Sequence, residues 1–443
     1  MYMLKKLFIL LKPSTLLKAV IIIAIFAGGG VAGFYYSQKY ALPYQAVAEV
    51  EQNSYIAFLS EIYDIIQQNY WNKLEDTQLN KLFILGTEKL TGQQQSTEPK
   101  TKAELMMLLT EVIGNYDSDD KRKEFSASLS DIVLANLEPF GRSRLYARKD
   151  EQALSNTVQN KNPDINRYDA LEVPKEASQS MIENSYKQLA EKWNPKTNSD
   201  PQAPQKYAEI NEAYKVLKDP ESRKVYDISG VEPTMDYKLI RPTIFHMHLS
   251  KFSPTTMEEL VRVSEKVTQD SVDTLIFDLR GNIGGAIDGL PYFLGPFIGQ
   301  NQYAYQFMHQ GEITDYKTKT GWLPSLYRYK KVVILIDNNS QSTAEVMAAT
   351  LKKYNVGVLV GVPTKGWGTV EKVFKVNNQI DPSETYSAFL VHTLTLREDG
   401  KPIEGNGVEP LINVTDPTWE QQLYSYFNSQ EIVDAVKEIF EEN

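Results

Sequence analysis

The chain of 443 residues contains no cysteine and only four histidines. Without cysteine it forms no disulfide, no thiolate metal site and no cysteine-based redox or nucleophilic centre. Four histidines leave little material for a histidine-rich metal centre. Long basic blocks are also missing, and the formal net charge is −10. Nucleic-acid binders neutralise phosphates with clustered Lys and Arg, so no nucleic-acid partner is expected. One Gly-rich turn, "DLRGNIGG", follows neither the P-loop order nor G-x-G-x-x-G. The phosphate-cradle reading of it is therefore weak, and no cofactor is expected. No internal repeat is visible. The length suits about two to four domains.

Long uncharged runs are scarce, and one stands out. Residues 1–18 carry Lys5, Lys6, Lys12 and Lys18. Residues 19–36, "AVIIIAIFAGGGVAGFYY", have no charge at all. Eighteen residues at ~1.5 Å each nearly cross a hydrocarbon core of ~30 Å. Flanking lysines keep the N-terminal end in the cytoplasm. A single-pass transmembrane anchor is expected at 19–36, after a cytoplasmic basic segment at 1–18, with the rest of the chain extracytoplasmic. Cleavage as a signal peptide is the competing reading, because "AVA" at 46–48 is a small-x-small site.

Beyond a juxtamembrane linker, "YIAFLSEIYDIIQQNYW" places Ile56, Leu59, Ile62, Ile65 and Ile66 on one helical stripe. Further helices are expected near 77–90, 102–113 and 124–137. A polar linker without periodicity, "SNTVQNKNPDINR", precedes a small helical unit. An α/β region comes next. Its strands are expected at 243–249, 274–278, 331–336 and 356–360, with helices at 257–269 and 344–354. A last helix spans 429–442.

The helical unit, "YDALEVPKEASQSMIENSYKQLAEKWNPKTNSDPQAPQKYAEINEAYKVLKDPESRKVYD", resembles a J-domain over nearly its whole length. The resemblance implies an antiparallel helical hairpin, with Ile182, Tyr186 and Leu189 facing Ile210, Ala213, Tyr214 and Leu217. The family's His-Pro-Asp tripeptide, which stimulates DnaK-type chaperones, falls at Asn194, Pro195 and Lys196. Only the proline is kept, and the acid has become a base. The helix before it is poor in Lys and Arg. A J-like fold without a DnaK-type partner is expected.

The α/β region carries a second resemblance. "VDTLIFDLRGNIGGAIDGL" is similar to the "DLRxNPGG" turn of the carboxyl-terminal processing peptidases, or tail-specific proteases, with Ile283 in place of proline. "VVILIDNNSQSTAEVMAATLKKYNVGVLVGVPTKGWGTVEKV" resembles their nucleophile segment, and "LREDGKPIEGNGVEPLINV" a later one, with Leu411 for aspartate. Upstream, "YDIIQQNYWNKLEDTQL" and "LEPFGRSRLYARKDEQAL" resemble the family's N-terminal helices and its "LDPHSxYL" turn. Together these cover most of 55–155 and 237–415. No PDZ signature appears between the halves; the J-like unit stands there instead.

The resemblance implies roles. Ser342, followed by Thr343, Ala344 and Glu345, matches the nucleophile. Backbone N–H groups of Gly284 or Gly285 and of Thr343 match the oxyanion hole. A serine opening a helix also gains from the helix dipole. The family's catalytic lysine falls at Trp367 and its glutamine at Glu371. A serine hydroxyl needs a base within reach, and an indole offers only an N–H donor. Lys365, two residues away and on the same face of an extended segment, is the first candidate for a relocated base. His246 and His248 are alternatives, with Glu371 or Glu345 orienting the base. His309 and His392 have no distinguishing context, and the bland role for Ser342 is a helix cap.

The expected architecture is a layered α/β (α+β) peptidase core. Residues 53–155 form a helical N-terminal part and 237–415 the catalytic domain. An all-α J-like insert occupies 166–229, and a helix with an acidic tail 416–443. The implied function is a membrane-anchored, extracytoplasmic serine-type peptidase acting on exposed or C-terminal polypeptide segments. The alternative is a pseudoprotease that binds peptides without cleaving them.

Overall fold

The computed structural model describes residues 53–397 and 399–441. The expected cytoplasmic segment and the anchor at 19–36 lie outside the described residues. Among the described residues, no helix is long and apolar enough to cross a membrane.

Four helices open the fold: α1 (Ser54–Asn69), α2 (Asp76–Thr91), α3 (Lys102–Gly114) and α4 (Asp119–Ala135). Asn53 caps α1 by accepting the Tyr55 N–H, and the stripe Ile56, Leu59, Ile62 and Ile66 is fully buried. α4 starts earlier than its apolar pattern suggests, because Ser118 caps a first turn of charged residues. A short strand, β1 (Arg144–Ala147), leads into α5 (Arg148–Gln159). The expected linker is therefore partly helical. α5 has no buried residue, so it carries no apolar periodicity by which it could be read.

The J-like unit comprises α6 (Arg167–Ala170), α7 (Gln179–Lys192), α8 (Ala203–Leu217) and α9 (Pro220–Ser229). Ile182, Leu189, Ile210, Ala213 and Leu217 build a separate small core, and the Tyr186 and Tyr214 rings stack 3.8 Å apart. Asn194, Pro195 and Lys196 succeed α7 in a turn closed by Asn194 Oδ1 and the Lys196 N–H. Charged contacts fasten the unit to the α/β region. Asp219 caps α9 and accepts from Arg262 and Lys266, while Lys218 pairs with Asp236. Buried Arg167 and Glu232 share two hydrogen bonds of 2.7 and 2.8 Å. The chain enters and leaves the unit side by side, through a bridge between Lys161 and Val231.

Next come β2 (Met235–Arg241), β3 (Ile244–Leu249), α10 (Thr256–Ser264), β4 (Thr274–Asp278) and α11 (Leu290–Ile298). A hairpin of β5 (Tyr303–His309) and β6 (Glu312–Lys317) precedes α12 (Pro324–Tyr327), β7 (Lys331–Ile336), α13 (Thr343–Lys353) and β8 (Val358–Gly361). The chain closes with β9 (Thr369–Lys375), β10 (Tyr386–Leu396), β11 (Ile412–Asn413), α14 (Trp419–Phe427) and α15 (Gln430–Glu441).

Two sheets result. One has the order β11-β8-β7-β4-β3-β2, parallel except for β2. Its central strands β4, β7 and β8 are largely apolar on both faces, as a sheet covered on both sides requires. Phe245, Met247 and Leu249 face a core that includes α13, and Ile244 and Ile276 face one that includes α15. The other sheet is antiparallel, β1-β10-β5-β6 with β9 also on β10. The first four helices pack on it through Phe58, Phe83, Leu109 and Leu129 against Ala388, Leu390 and Val391.

Strand alternation decides the fate of His246 and His248. They share the face of Ile244, opposite the α13 side, so they are removed from Ser342. His246 Nε2 lies 3.1 Å from Asp278 Oδ2. Burial acts to raise the Asp278 carboxyl, but hydrogen bonds from His246 and Arg280 outweigh it and hold the group far below the ordinary range. A carboxylate depressed in the folded state adds stability that is complete above its unfolded pKa and lost as pH falls. Unfolding free energy in urea should therefore decline below about pH 4. Asp278→Asn should show a shallower acid limb; an identical slope in the variant would contradict this.

Candidate active site

Between β7 and α13 the chain makes a tight turn. Asp337 Oδ1 holds it by accepting from the Gly281 and Ser340 N–H groups, at 2.9 and 2.8 Å. Ser342 ends the turn with φ +58° and ψ −124°. That conformation is rare for a residue with a Cβ and persists only where the surroundings impose it. Here the Gln341 N–H donates to Asn282 O and the Ser342 N–H to Glu345 Oε2.

The Gly-rich turn after β4 packs directly on Ser342. A Cβ on Gly284 would stand 2.7 Å from Ser342 Cβ and 3.1 Å from its Oγ, so the position admits no side chain. A Cβ on Gly285 would meet Phe252 O at 2.0 Å. The Gly284 N–H donates to Asn282 Oδ1 at 2.8 Å. Gly284 is thereby removed from the set of expected oxyanion donors: its side-chain-free surface matters, not its amide. The N–H groups of Gly285 and Thr343 have no acceptor among the described residues. The Thr343 hydroxyl donates to Gly285 O at 2.9 Å and ties the two together.

Glu345 binds the turn to the next segment. Its buried carboxylate accepts from Ser342 N (2.8 Å), Trp367 N (2.7 Å), Gly366 N (2.7 Å) and Thr364 Oγ1 (2.6 Å). Burial pushes this carboxyl up, and the four donors pull against the rise. Glu345 is thus a structural tie rather than a group orienting a base.

Trp367, at the position the resemblance gives to the lysine, is fixed from three sides. Its N–H is held by Glu345, and the Arg142 guanidinium lies 3.4 Å above the centre of its ring. Its Nε1 points at Glu371 Oε1, 3.4 Å away. Arg142 is itself paired with Glu404 at 3.0 Å. Burial raises the Glu371 carboxyl, against hydrogen bonds from Thr369 and Trp367. Lys365 is exposed, with its amine 5.2 Å from the Trp367 ring centre. It does not belong to the cavity wall that contains Ser342.

That cavity, about 800 Å³, lies between the two sheets and is roofed by α5. Ser342, Gly284, Gly285, Trp367 and Glu371 all line it. So do three residues for which the sequence offered no signal: Lys251, His309 and His392. The two imidazoles sit 4.4 Å apart, their Nδ1 atoms 2.7 and 2.8 Å from His392 O and Asn69 O. Among the described residues, no three His, Asp or Glu side chains are grouped to hold a metal.

Glu345→Ala would leave four donors unpaired, at about 1–3 kcal/mol for each that stays buried. A loss of roughly 3 kcal/mol or more is expected. Chemical denaturation measures it; a loss below about 1 kcal/mol would show that the tie is dispensable.

Two stretches of the chain match known families. Residues 243–414 match the model of Peptidase family S41, and residues 166–227 match that of the DnaJ domain. The carboxy-terminal processing protease CtpA of Bacillus subtilis (strain 168) is 26% identical over 185 residues, 41% of this chain and 37% of that protein. Chaperone protein DnaJ 2 of Thermus thermophilus is 49% identical over 63 residues, 14% of this chain and 22% of that protein. The chain thus spans between about a fifth and two fifths of the length of these relatives. Among solved structures, the photosystem II D1 C-terminal processing protease is similar at a TM-score of 0.47 and 12% identity, covering 83% of this chain and 94% of that one. The chain therefore joins a domain of peptidase family S41, of the carboxyl-terminal processing type, to an inserted DnaJ domain.

Proposed function

We propose that this protein is a serine-type peptidase that cleaves extended segments of other polypeptides through Ser342. The observation that carries the reading is the pairing of a conformationally constrained Ser342 with two unengaged amides, Gly285 and Thr343. Ser342 Oγ attacks the scissile carbonyl, and its proton passes to a base. The resulting oxyanion is received by the Gly285 and Thr343 N–H groups, which are positioned before reaction and need no reorganisation. The base returns the proton to the leaving amine, and water then hydrolyses the acyl-serine. The cavity between the sheets accommodates several residues of an unfolded chain. The likeness to a carboxy-terminal processing protease supports C-terminal segments as substrates.

Location is read from the N-terminus. The charge-free run at 19–36, behind four lysines, supports an anchored protein with its bulk outside the cytoplasm. The full-length chain should stay with membranes through alkaline carbonate washing and leave only with detergent. The DnaJ-type unit is read as a docking module. Lys196 replaces the acid on which chaperone stimulation depends in the J-domain family.

One observation favours a second reading. Trp367, clamped by Arg142, fills the place of the family's lysine, and an indole accepts no proton. A pseudoprotease would keep the groove for binding alone. Residues 41–443 incubated with an unfolded protein separate the two readings. Turnover in the wild type and its loss in Ser342→Ala, by about 10³-fold or more, is expected. A silent wild type beside an active Trp367→Lys would establish the second reading.

A further inference from the structure

Ser342 needs a proton acceptor, and neither Trp367 nor Lys365 supplies one. Resting on the peptidase reading above, we infer that Lys251, from the segment after β3, is the base that takes the Ser342 proton.

The register places it. Phe252 N–H donates to Gly284 O at 2.8 Å, and Ala286 N–H donates to Phe252 O at 3.0 Å. These bonds form a parallel bridge between Phe252 and Gly285. Lys251 therefore lies beside Gly284, about 4.8 Å away across the bridge. A Cβ at Gly284 would stand 3.1 Å from Ser342 Oγ, so Lys251 is the lateral neighbour of the residue that packs on the nucleophile. The Lys251 side chain lines the cavity into which Ser342 opens. The bare Gly284 leaves Ser342 open on that flank, and a flexible four-carbon stem can cross the cavity.

The surroundings suit a neutral amine. Lys251 and Ser342 line the same cavity. The amine donates to Thr157 O at 2.9 Å and Asn160 Oδ1 at 3.3 Å, leaving one tetrahedral position for a lone pair. Burial lowers its pKa, Glu232 opposes the fall and Lys215 adds to it. Desolvation is what fits a lysine to act as a base near neutrality.

The proton balance closes. The Ser342 hydroxyl proton moves to Lys251 Nζ as Oγ bonds to the carbonyl carbon. The ammonium gives that proton to the departing amine when the C–N bond breaks. Lys251 then takes a proton from the attacking water, and returns it to Ser342 Oγ as the acyl-serine is cleaved.

A fluorophosphonate reagent tests this on the full chain without knowledge of the substrate. Serine oxygen displaces fluoride from phosphorus, so the labelling rate reports removal of the serine proton. Wild type should label at Ser342, located by mass spectrometry. Lys251→Met and Lys251→Arg should label at least ~10²-fold more slowly, the loss of one general base. Arginine keeps the charge and the donors but stays protonated. The chain has no cysteine, so Lys251→Cys can be alkylated selectively with 2-bromoethylamine. Regaining the amine should restore labelling, which recovered packing alone would not do. Labelling of Lys251→Met or Lys251→Arg at the wild-type rate would overturn Lys251 while leaving the peptidase reading intact. No labelling of wild type would overturn the peptidase reading and Lys251 with it.

Discussion

A single buried carboxylate holds the candidate site together. Glu345 lies on the first turn of α13, and its two oxygens gather donors from the Ser342 turn and from residues 364–367. A carboxylate buried without a cationic partner is costly, and here backbone and hydroxyl dipoles offset that cost. Because those donors come from two segments, their separation is set by the width of one carboxyl group. The unusual backbone of Ser342 depends on this tie, and so does the placement of Trp367. The Gly-rich turn is located separately, through Asn282 and the bridge to Phe252.

The second organising feature is the position of the DnaJ-type unit. Its Lys218 and Lys215, at and near the end of α8, reach Asp236 on β2 and Ser250 at the end of β3. Ser250 O in turn accepts the N–H of Ile283 in the Gly-rich turn. Between the unit and the oxyanion donors there is thus one extended segment, 250–252, with Lys251 at its centre. The end of α5 meets the same lysine from the other side.

Much of this was legible in the sequence, for identifiable reasons. The strands of the parallel sheet are short apolar runs bounded by polar turns, and 274–278 and 331–336 fall where the pattern places them. The resemblance to J-domains implied the hairpin, and the resemblance to the processing peptidases pointed to Ser342, Gly285 and Thr343 as site residues. What was not legible depends on contacts distant in sequence. The antiparallel sheet pairs residues near 145, 306, 372 and 390, and local periodicity carries no trace of that. Gly284 looked like an amide donor until the Asn282 side chain was seen to occupy its N–H. Lys365 shares a segment with Trp367 but ends in solvent. Lys251, ninety-one residues before Ser342 in sequence, enters the cavity only through strand register.

The bridge between Lys161 and Val231 has an evolutionary consequence. A unit whose two ends leave side by side is, for its host, a long loop with closed feet. Such a loop can be acquired, exchanged or lost in one genetic step without altering the order of the host's strands. Residues 161 and 231 mark where a different module could be grafted without redesigning the peptidase around it.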